Sequence, residues 1–399
     1  MLSKTIEVPR TKQLDRLIGK IGDKKEGPTV FFFGGIHGNE MAGVKALDLV
    51  FEQLGTETVS IQGNMLGIRG NLPAQIQGKR FIDQDLNRMW TKKNIAEILS
   101  KQTSTQNAEE KELFEIYQLV SNCVETHSPP FYFIDLHTTS SKTLPFITIN
   151  DAMINRSFSS LFPVPIVLGI EEYLEGPLLS HMNQEGYVSL GFESGQHVEE
   201  SAIDNAVAFI WLVLTYTGVV VPIDHSFKKV YFEQLKNAAQ GISDFYEVLH
   251  RHALEESDNF QMLPGFESFK EIEKGTLLAR HNKKKISTEK DSMLFMPLYQ
   301  KQGEEGFFLI KQIPIWALKL SKFLRRMRFD NFLTLLPGIR WKDSKKESLE
   351  VNVKIARFYA KAIFHLLGYR NHAIDKNHII MQNRERKAKN SMYTNEWWF

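Results

Sequence analysis

Apolar runs and amphipathic stretches alternate along the first half of the chain. Thr29 to Phe33, Val59 to Ile68 and Phe131 to Leu136 are rich in aromatic and branched residues and are bounded by polar or glycine-bearing segments, which predicts core strands. Met41 to Leu54, Glu109 to Thr126 and Ser201 to Tyr216 place apolar residues at helical spacing and predict helices. The alternation over residues 29–222 is that of an α/β domain, a mixed sheet flanked by helices. Lys101 to Asn107 is polar and low in complexity, and reads as a mobile loop.

Beyond Pro222 the pattern changes. Phe227 to Leu235 and Phe245 to Leu254 are strand-like, and Gly275 to Ala279, Ser292 to Leu298 and Gly306 to Ile310 are short apolar segments between turn signals such as Pro264-Gly265. They predict a small β-barrel or sandwich over residues 223–313. From Pro314 the pattern turns helical, with Ile355, Phe358, Ala362, Ile363 and Leu366 at helical spacing ahead of Gly368. The chain therefore divides into three units, residues 1–222, 223–313 and 314–399. Ala206 to Ile223 is uncharged over 18 residues, near the lower limit for crossing a bilayer. Gly218 interrupts it as a helix stop, so it reads as a buried helix followed by a short strand, and no transmembrane segment is expected.

Composition adds constraints. Hydrophobic residues make up 42% and charged residues 24%, close to globular averages, and a net charge of +2 predicts no wholesale attraction to nucleic acid. The charge is uneven, however: residues 315–399 hold 18 Lys/Arg against 7 Asp/Glu. That basic region, above all Lys322 to Arg328 and Arg384 to Lys389, invites a membrane or nucleic-acid reading, but is expected to be a solvated helical cap whose apolar face packs on the rest of the protein. Cys123 is the single cysteine, which excludes an internal disulfide and a cysteine-based metal site and favours a reducing compartment. Met1 to Arg10 lacks the apolar core of a secretory signal, so a cytoplasmic location is expected. A homo-oligomer is left open.

Chemistry concentrates where the apolar runs end. His37-Gly38-Asn39-Glu40 follows the run Thr29 to Ile36, and Gly38 lets the backbone bend without a Cβ penalty, so an imidazole and a carboxylate can converge. These are two of the three protein ligands of a His₂Glu zinc site, which leaves its fourth position open. His137, at the end of Phe131 to Leu136, is the candidate third ligand, although hydrogen bonding to Thr138, Thr139 or Ser140 would also explain it. Arg80 to Arg88 gathers two guanidiniums, an amide and carboxylates. One guanidinium can stabilise an oxyanion, the second with Asn87 can hold a substrate carboxylate, and Asp85 can orient a zinc-bound imidazole. A charged surface loop is the alternative for that run. Glu193, in Gly191-Phe192-Glu193-Ser194-Gly195, suits a general base, or else is an ordinary turn glutamate.

Taken in order, Gly34-Gly35-Ile36-His37-Gly38-Asn39-Glu40, Asp85-Leu86-Asn87-Arg88, Asp135-Leu136-His137-Thr138-Thr139 and Glu193 with Gly195 resemble the succinylglutamate desuccinylase/aspartoacylase family, a branch of the zinc carboxypeptidase group. The resemblance covers residues 28–220 by motif. It implies a zinc carboxypeptidase-like sheet with an appended small β domain, and one Zn2+ per chain on His37, Glu40 and His137. It further implies Glu193 as general base and acid, Arg80 polarising the scissile carbonyl, Asn87 and Arg88 on a substrate carboxylate, and Asp85 behind His37. The implied reaction is hydrolysis of an N-acyl amino acid or a peptide-like amide. A carboxypeptidase acting on peptide C-termini, or a binding protein on the same scaffold, are the alternatives. One departure bears on substrate: the family's aspartoacylases carry a further arginine shortly before the catalytic glutamate, whereas here no Lys or Arg occurs between Arg156 and Lys228. Glu171, Glu172, Glu175 and Glu185 lie in that stretch, so a substrate with one carboxylate and a neutral or cationic remainder is expected.

Overall fold

The computed structural model describes residues 14–22, 25–56, 59–224, 226–344, 346–352, 361–373 and 378–399, so Met1 to Arg10 lies outside the described residues. Its centre is an 11-stranded sheet whose strands begin, in spatial order, at Leu17, Asn64, Thr29, Phe131, Val188, Phe146, Ile166, Phe245, Glu305, Ser292 and Lys270. Asn64–Arg69, Thr29–Gly34, Phe131–Thr139 and Val188–Gln196 run parallel side by side. Parallel strands are covered on both faces and therefore read as unbroken apolar runs. Thr29–Gly34 illustrates this, because Val30 and Phe32 enter one core while Phe31 and Phe33 enter another. The helices Ala42–Leu54 and Glu200–Tyr216 cover the first face, and Lys92–Ser100 and Ala108–Thr126 cover the second.

Several expectations change. The run Val59 to Ile68 is two strands, Val59–Ile61 and Asn64–Arg69, which belong to different sheets. Phe227 to Leu235 lies in a helix, Ser226–Ala238. Phe227, Tyr231 and Leu235 recur every fourth residue, and the first two pack their rings on Trp211 at 4.9 and 6.0 Å. The strands after residue 244 do not close into a barrel but form two layers: Phe245–Ala253 pairs in parallel with Ile166–Leu168, four of the strands extend the main sheet, and three others form a small separate sheet that shares a core with them through Met262, Leu278, Ile272, Leu294 and Phe307, the sandwich alternative. The stretch 101–107 contains a 3-10 turn, and Asn107 caps the next helix in a reciprocal box with Glu110. Ala206 to Ile223 divides as expected into the end of a helix, Gly218 at φ 72°, and the strand Val220–Pro222. Among the described residues no helix is long and apolar enough to cross a membrane.

The region after Pro314 is not wholly helical. Ile339–Trp341, Ser348–Asn352, Tyr369–Ala373 and His378–Asn383 form a four-stranded antiparallel sheet. Of the helix expected around Val351 to Leu367, Ile355 and Phe358 lie outside the described residues, and Lys361–Leu366 is helical. The preceding helix, Ile315–Arg326, turns Ser321 and Arg325 inward, packs Leu324 on the core beside the four-stranded sheet, and leaves Trp316 and Phe323 67% and 60% exposed, so the strip bearing these rings does not pack on the protein. Polar contacts fix it as well. Arg325 Nη2 and Arg156 Nη2 both reach Asp151 Oδ2, at 2.8 and 2.9 Å, and Arg325 Nη1 meets Glu385 at 3.0 Å. The chain end folds back as well: the Tyr393 hydroxyl donates to Phe131 O at 2.6 Å and accepts from Val188 N at 2.9 Å, tying together the starts of two central strands.

Removing one partner from a buried ion network strands the others, at a cost of about 3–5 kcal/mol. Asp151→Ala, which leaves two arginines facing each other in the interior, is expected to lower unfolding free energy by about that amount in urea titrations.

Candidate active site

The carboxyl ends of three adjacent parallel strands deliver the candidate residues. After Thr29–Gly34 the chain turns through Gly35, whose φ of 70° is left-handed, and brings His37 and Glu40 over the sheet. Gly38 serves close approach rather than a left-handed bend, since a Cβ there would sit 2.2 Å from the Ala74 carbonyl carbon. Its amide also donates to Arg80 O at 3.0 Å, which joins the two motif loops. The next strand, Phe131–Thr139, contributes His137, and its neighbour Val188–Gln196 places Glu193 in register beside His137.

His37, Glu40 and His137 are all buried, and one donor atom from each lies within 4.8 Å of the others. His37 Nδ1 stands 2.8 Å from Glu40 Oε1, and His137 Nδ1 stands 2.9 Å from Glu40 Oε2. Each imidazole has a carboxylate behind its other nitrogen. Asp85 Oδ1 is 3.1 Å from His37 Nε2, and Asp135 Oδ2 is 2.8 Å from His137 Nε2. Paired carboxylates of this kind fix which nitrogen faces a metal and raise its basicity. Two imidazoles turned by the same device toward one carboxylate therefore suit a metal ion of the zinc type. Charge follows the geometry. Burial opposes ionisation of Glu40, yet the two imidazoles outweigh it and hold the carboxyl well below its usual range. Burial likewise works against charging His137, but Asp135 and Glu40 hold it well above the usual imidazole range.

Glu193 is shifted in the opposite direction from Glu40. Burial pushes its carboxyl up to about 7, with Glu40 adding to the rise against His137 and His37, and its Oε2 is buried with no hydrogen-bond partner.

The Arg80 to Arg88 run faces the same cleft. Arg80 grips Asp85 Oδ2 through Nε and Nη2 at 3.2 and 3.0 Å and reaches Glu40 Oε1 at 3.5 Å. Asn87 accepts from the Leu178 amide at 2.9 Å, which assigns its side-chain oxygen and leaves the NH₂ as its remaining donor group. Arg88 lines the cleft, but its Nη2 lies 3.2 Å from both oxygens of Glu305, and Glu305 also meets Arg251 at 3.0 Å. Met296, Leu298, Gln300 and Glu305 close one wall, so the loop between the strands Ser292–Phe295 and Glu305–Gln312, with the start of the second, completes the cleft.

All eight residues singled out in the sequence thus gather in one neighbourhood: His37, Glu40, His137 and Glu193 at its centre, Arg80, Asn87 and Arg88 along its wall, and Asp85 behind His37. Others were missed. Asp135 has a local signal, because two residues before His137 on a strand is the same side of the sheet. His197, held between Thr138 Oγ1 at 2.7 Å and Gln300 at 3.2 Å, sits four residues past Glu193. Glu305 has no local signal, being 217 positions from Arg88.

Comparison with known proteins follows the same outline. Residues 26–176 match the succinylglutamate desuccinylase/aspartoacylase catalytic domain, and Glu193 lies beyond the matched segment. A succinylglutamate desuccinylase of Photorhabdus laumondii subsp. laumondii is 45% identical over 56 residues, 14% of this chain and only 17% of that protein. The crystal structure of a succinylglutamate desuccinylase/aspartoacylase from Rhodobacter sphaeroides superposes with a TM-score of 0.52 at 16% identity, covering 72% of this chain and 87% of that one. Murine aminoacylase 3 gives 0.51 at 17% identity, covering 73% and 97%. At such identities the likeness to the solved structures is one of fold. Residues 26–176 are thus similar to the succinylglutamate desuccinylase/aspartoacylase catalytic domain, and the chain shares its fold with solved proteins of that name.

Proposed function

We propose that this protein is a zinc-dependent amidohydrolase that cleaves the acyl–nitrogen bond of an N-acyl amino acid carrying one carboxylate. The observation that carries the reading is the pairing of Glu40 with both imidazole Nδ1 atoms beside a buried, unpartnered Glu193 oxygen. His37, Glu40 and His137 would hold the ion. When bound, zinc supplies a Lewis acid that polarises a carbonyl and acidifies water.

The remaining steps belong to the chain. Glu193, whose carboxyl is raised toward neutrality by burial, takes a proton from the attacking water and returns it to the departing amine nitrogen as the C–N bond breaks. Arg80, fixed by Asp85, donates to the oxyanion that develops on the former carbonyl oxygen. The Asn87 NH₂ and the guanidinium N–H groups of Arg88 left over from Glu305 receive the substrate carboxylate.

Charge balance narrows the substrate. Arg80 and Arg88 are the guanidiniums that line the cleft among the described residues, and both already face carboxylates. A second substrate carboxylate would meet no unpaired cation there and would approach Glu171 and Glu305. Neutral or basic N-acyl amino acids are therefore favoured over the dianionic acyl-aspartate class. The buried single cysteine, Cys123, supports a reducing compartment for the enzyme.

Metal analysis is expected to find one zinc per chain, lost in His37→Ala and in His137→Ala, while Glu193→Gln retains it and loses about 10²–10⁴-fold in kcat. Full metal in the histidine variants, or near-normal turnover in Glu193→Gln, contradicts the assignment. Glu305→Gln releases Arg88, so kcat/KM for N-acyl-aspartate should rise relative to N-acyl-leucine by about tenfold or more. An unchanged ratio would separate Glu305 from substrate choice without affecting the metal assignment.

A further inference from the structure

The helix Ile315–Arg326 is amphipathic in the inverted sense. At about 100° per residue, Trp316, Leu320, Phe323 and Met327 fall on one strip, with Ser321 and Arg325 on the opposite side. Ser321 and Arg325 face the protein, where Ser321 Oγ donates to Leu366 O at 2.7 Å and Arg325 joins the Asp151 network. The apolar strip faces outward: Trp316 is 67% exposed, Phe323 60% and Met327 62%. The 3-10 segment Phe329–Leu335 that follows exposes Phe329, Phe332 and Leu335 as well. A contiguous exposed apolar surface of this kind marks an interaction site.

The charges beside it identify the occupant. Lys319, Lys322 and Arg326 fall along one border of the strip, and Arg328 follows; all four are exposed. Residues 315–329 contain no acidic side chain, and among the described residues no carboxylate pairs with these four cations. Lys322, Arg326 and Arg328 also line one cavity of about 740 Å³, together with the paired Arg386 and Asp330 and with Glu385. We propose that this face docks on an anionic lipid bilayer, with the helix lying in the plane of the interface. Its aromatic and aliphatic side chains would enter the headgroup–acyl boundary while the cations meet lipid phosphates, the division of labour of an interfacial helix. A second copy of this chain is disfavoured, because a two-fold contact through this face would oppose the same cations to one another. The inference does not depend on the reaction catalysed.

Vesicle co-sedimentation of the full-length protein tests it. On phosphatidylcholine vesicles containing about 30% phosphatidylglycerol, binding should exceed that on pure phosphatidylcholine by about tenfold or more and fall with added salt. Trp316→Ser/Phe323→Ser should reduce binding to the anionic vesicles by about tenfold or more, and so should Lys319→Glu/Lys322→Glu. Both double variants should keep the near-ultraviolet circular dichroism of the parent. If the apolar variant does not fold, the charge variant, altered only at exposed positions, decides alone. Absence of binding to anionic vesicles, equal binding to both vesicle types, or parent-like binding by a folded variant overturns the proposal. So does a concentration-dependent dimer that Trp316→Ser/Phe323→Ser abolishes, which would assign the face to a second copy.

Discussion

Glu40 presents one oxygen to His37 Nδ1 and the other to His137 Nδ1 and to the Thr138 amide, at 2.8, 2.9 and 3.0 Å. A single carboxylate thereby couples the loop after one central strand to the end of the next. Its position depends on close backbone approach at Gly38 and on a left-handed turn at Gly35, so the strand ends and the loop form one rigid unit. Buried charge of this density is tolerable because opposite charges face one another across it. Asp85 and Asp135 serve the imidazoles, and Arg80 bridges Asp85 and Glu40. Glu193 stands in register with His137 yet has an oxygen outside this pairing, which is how one carboxyl stays near neutrality while its neighbour is held ionised.

Much of this arrangement is legible in the chain because the relevant spacing is local. His37 and Glu40 share one loop, His137 and Glu193 end apolar runs, and parallel strands covered on both faces announce themselves as such runs. What escapes sequence reading is contributed across long separations. Glu305 reaches Arg88 over 217 positions, and Tyr393 bonds to Phe131 over 262, so neither pairing leaves a periodic trace. Short apolar segments were also ambiguous between strand and helix. Phe227 to Leu235 was resolved as helical by packing against Trp211, and Phe245–Ala253 joined the main sheet through its pairing with Ile166–Leu168.

The later part of the chain therefore does two kinds of work for the first. Its strands close the cleft and set the charge that Arg88 presents, while its last residues brace the starts of the strands bearing His137 and Glu193. The helix between them is held on one side by Arg325, through Asp151 and Glu385, and by Leu324 on the core of the C-terminal sheet. The opposite strip, with Trp316, Phe323 and Met327, is left exposed.

Whether a metal ion sits between His37 Nδ1, His137 Nδ1 and Glu40 decides the proposed chemistry. Anomalous diffraction at the zinc edge from crystals of the zinc-loaded protein addresses it directly. One anomalous peak is expected, about 2.0–2.2 Å from His37 Nδ1, His137 Nδ1 and a Glu40 oxygen, with Asp85 and Asp135 on the opposite ring nitrogens. Ligation through either Nε2, or a peak away from Glu40, would contradict it.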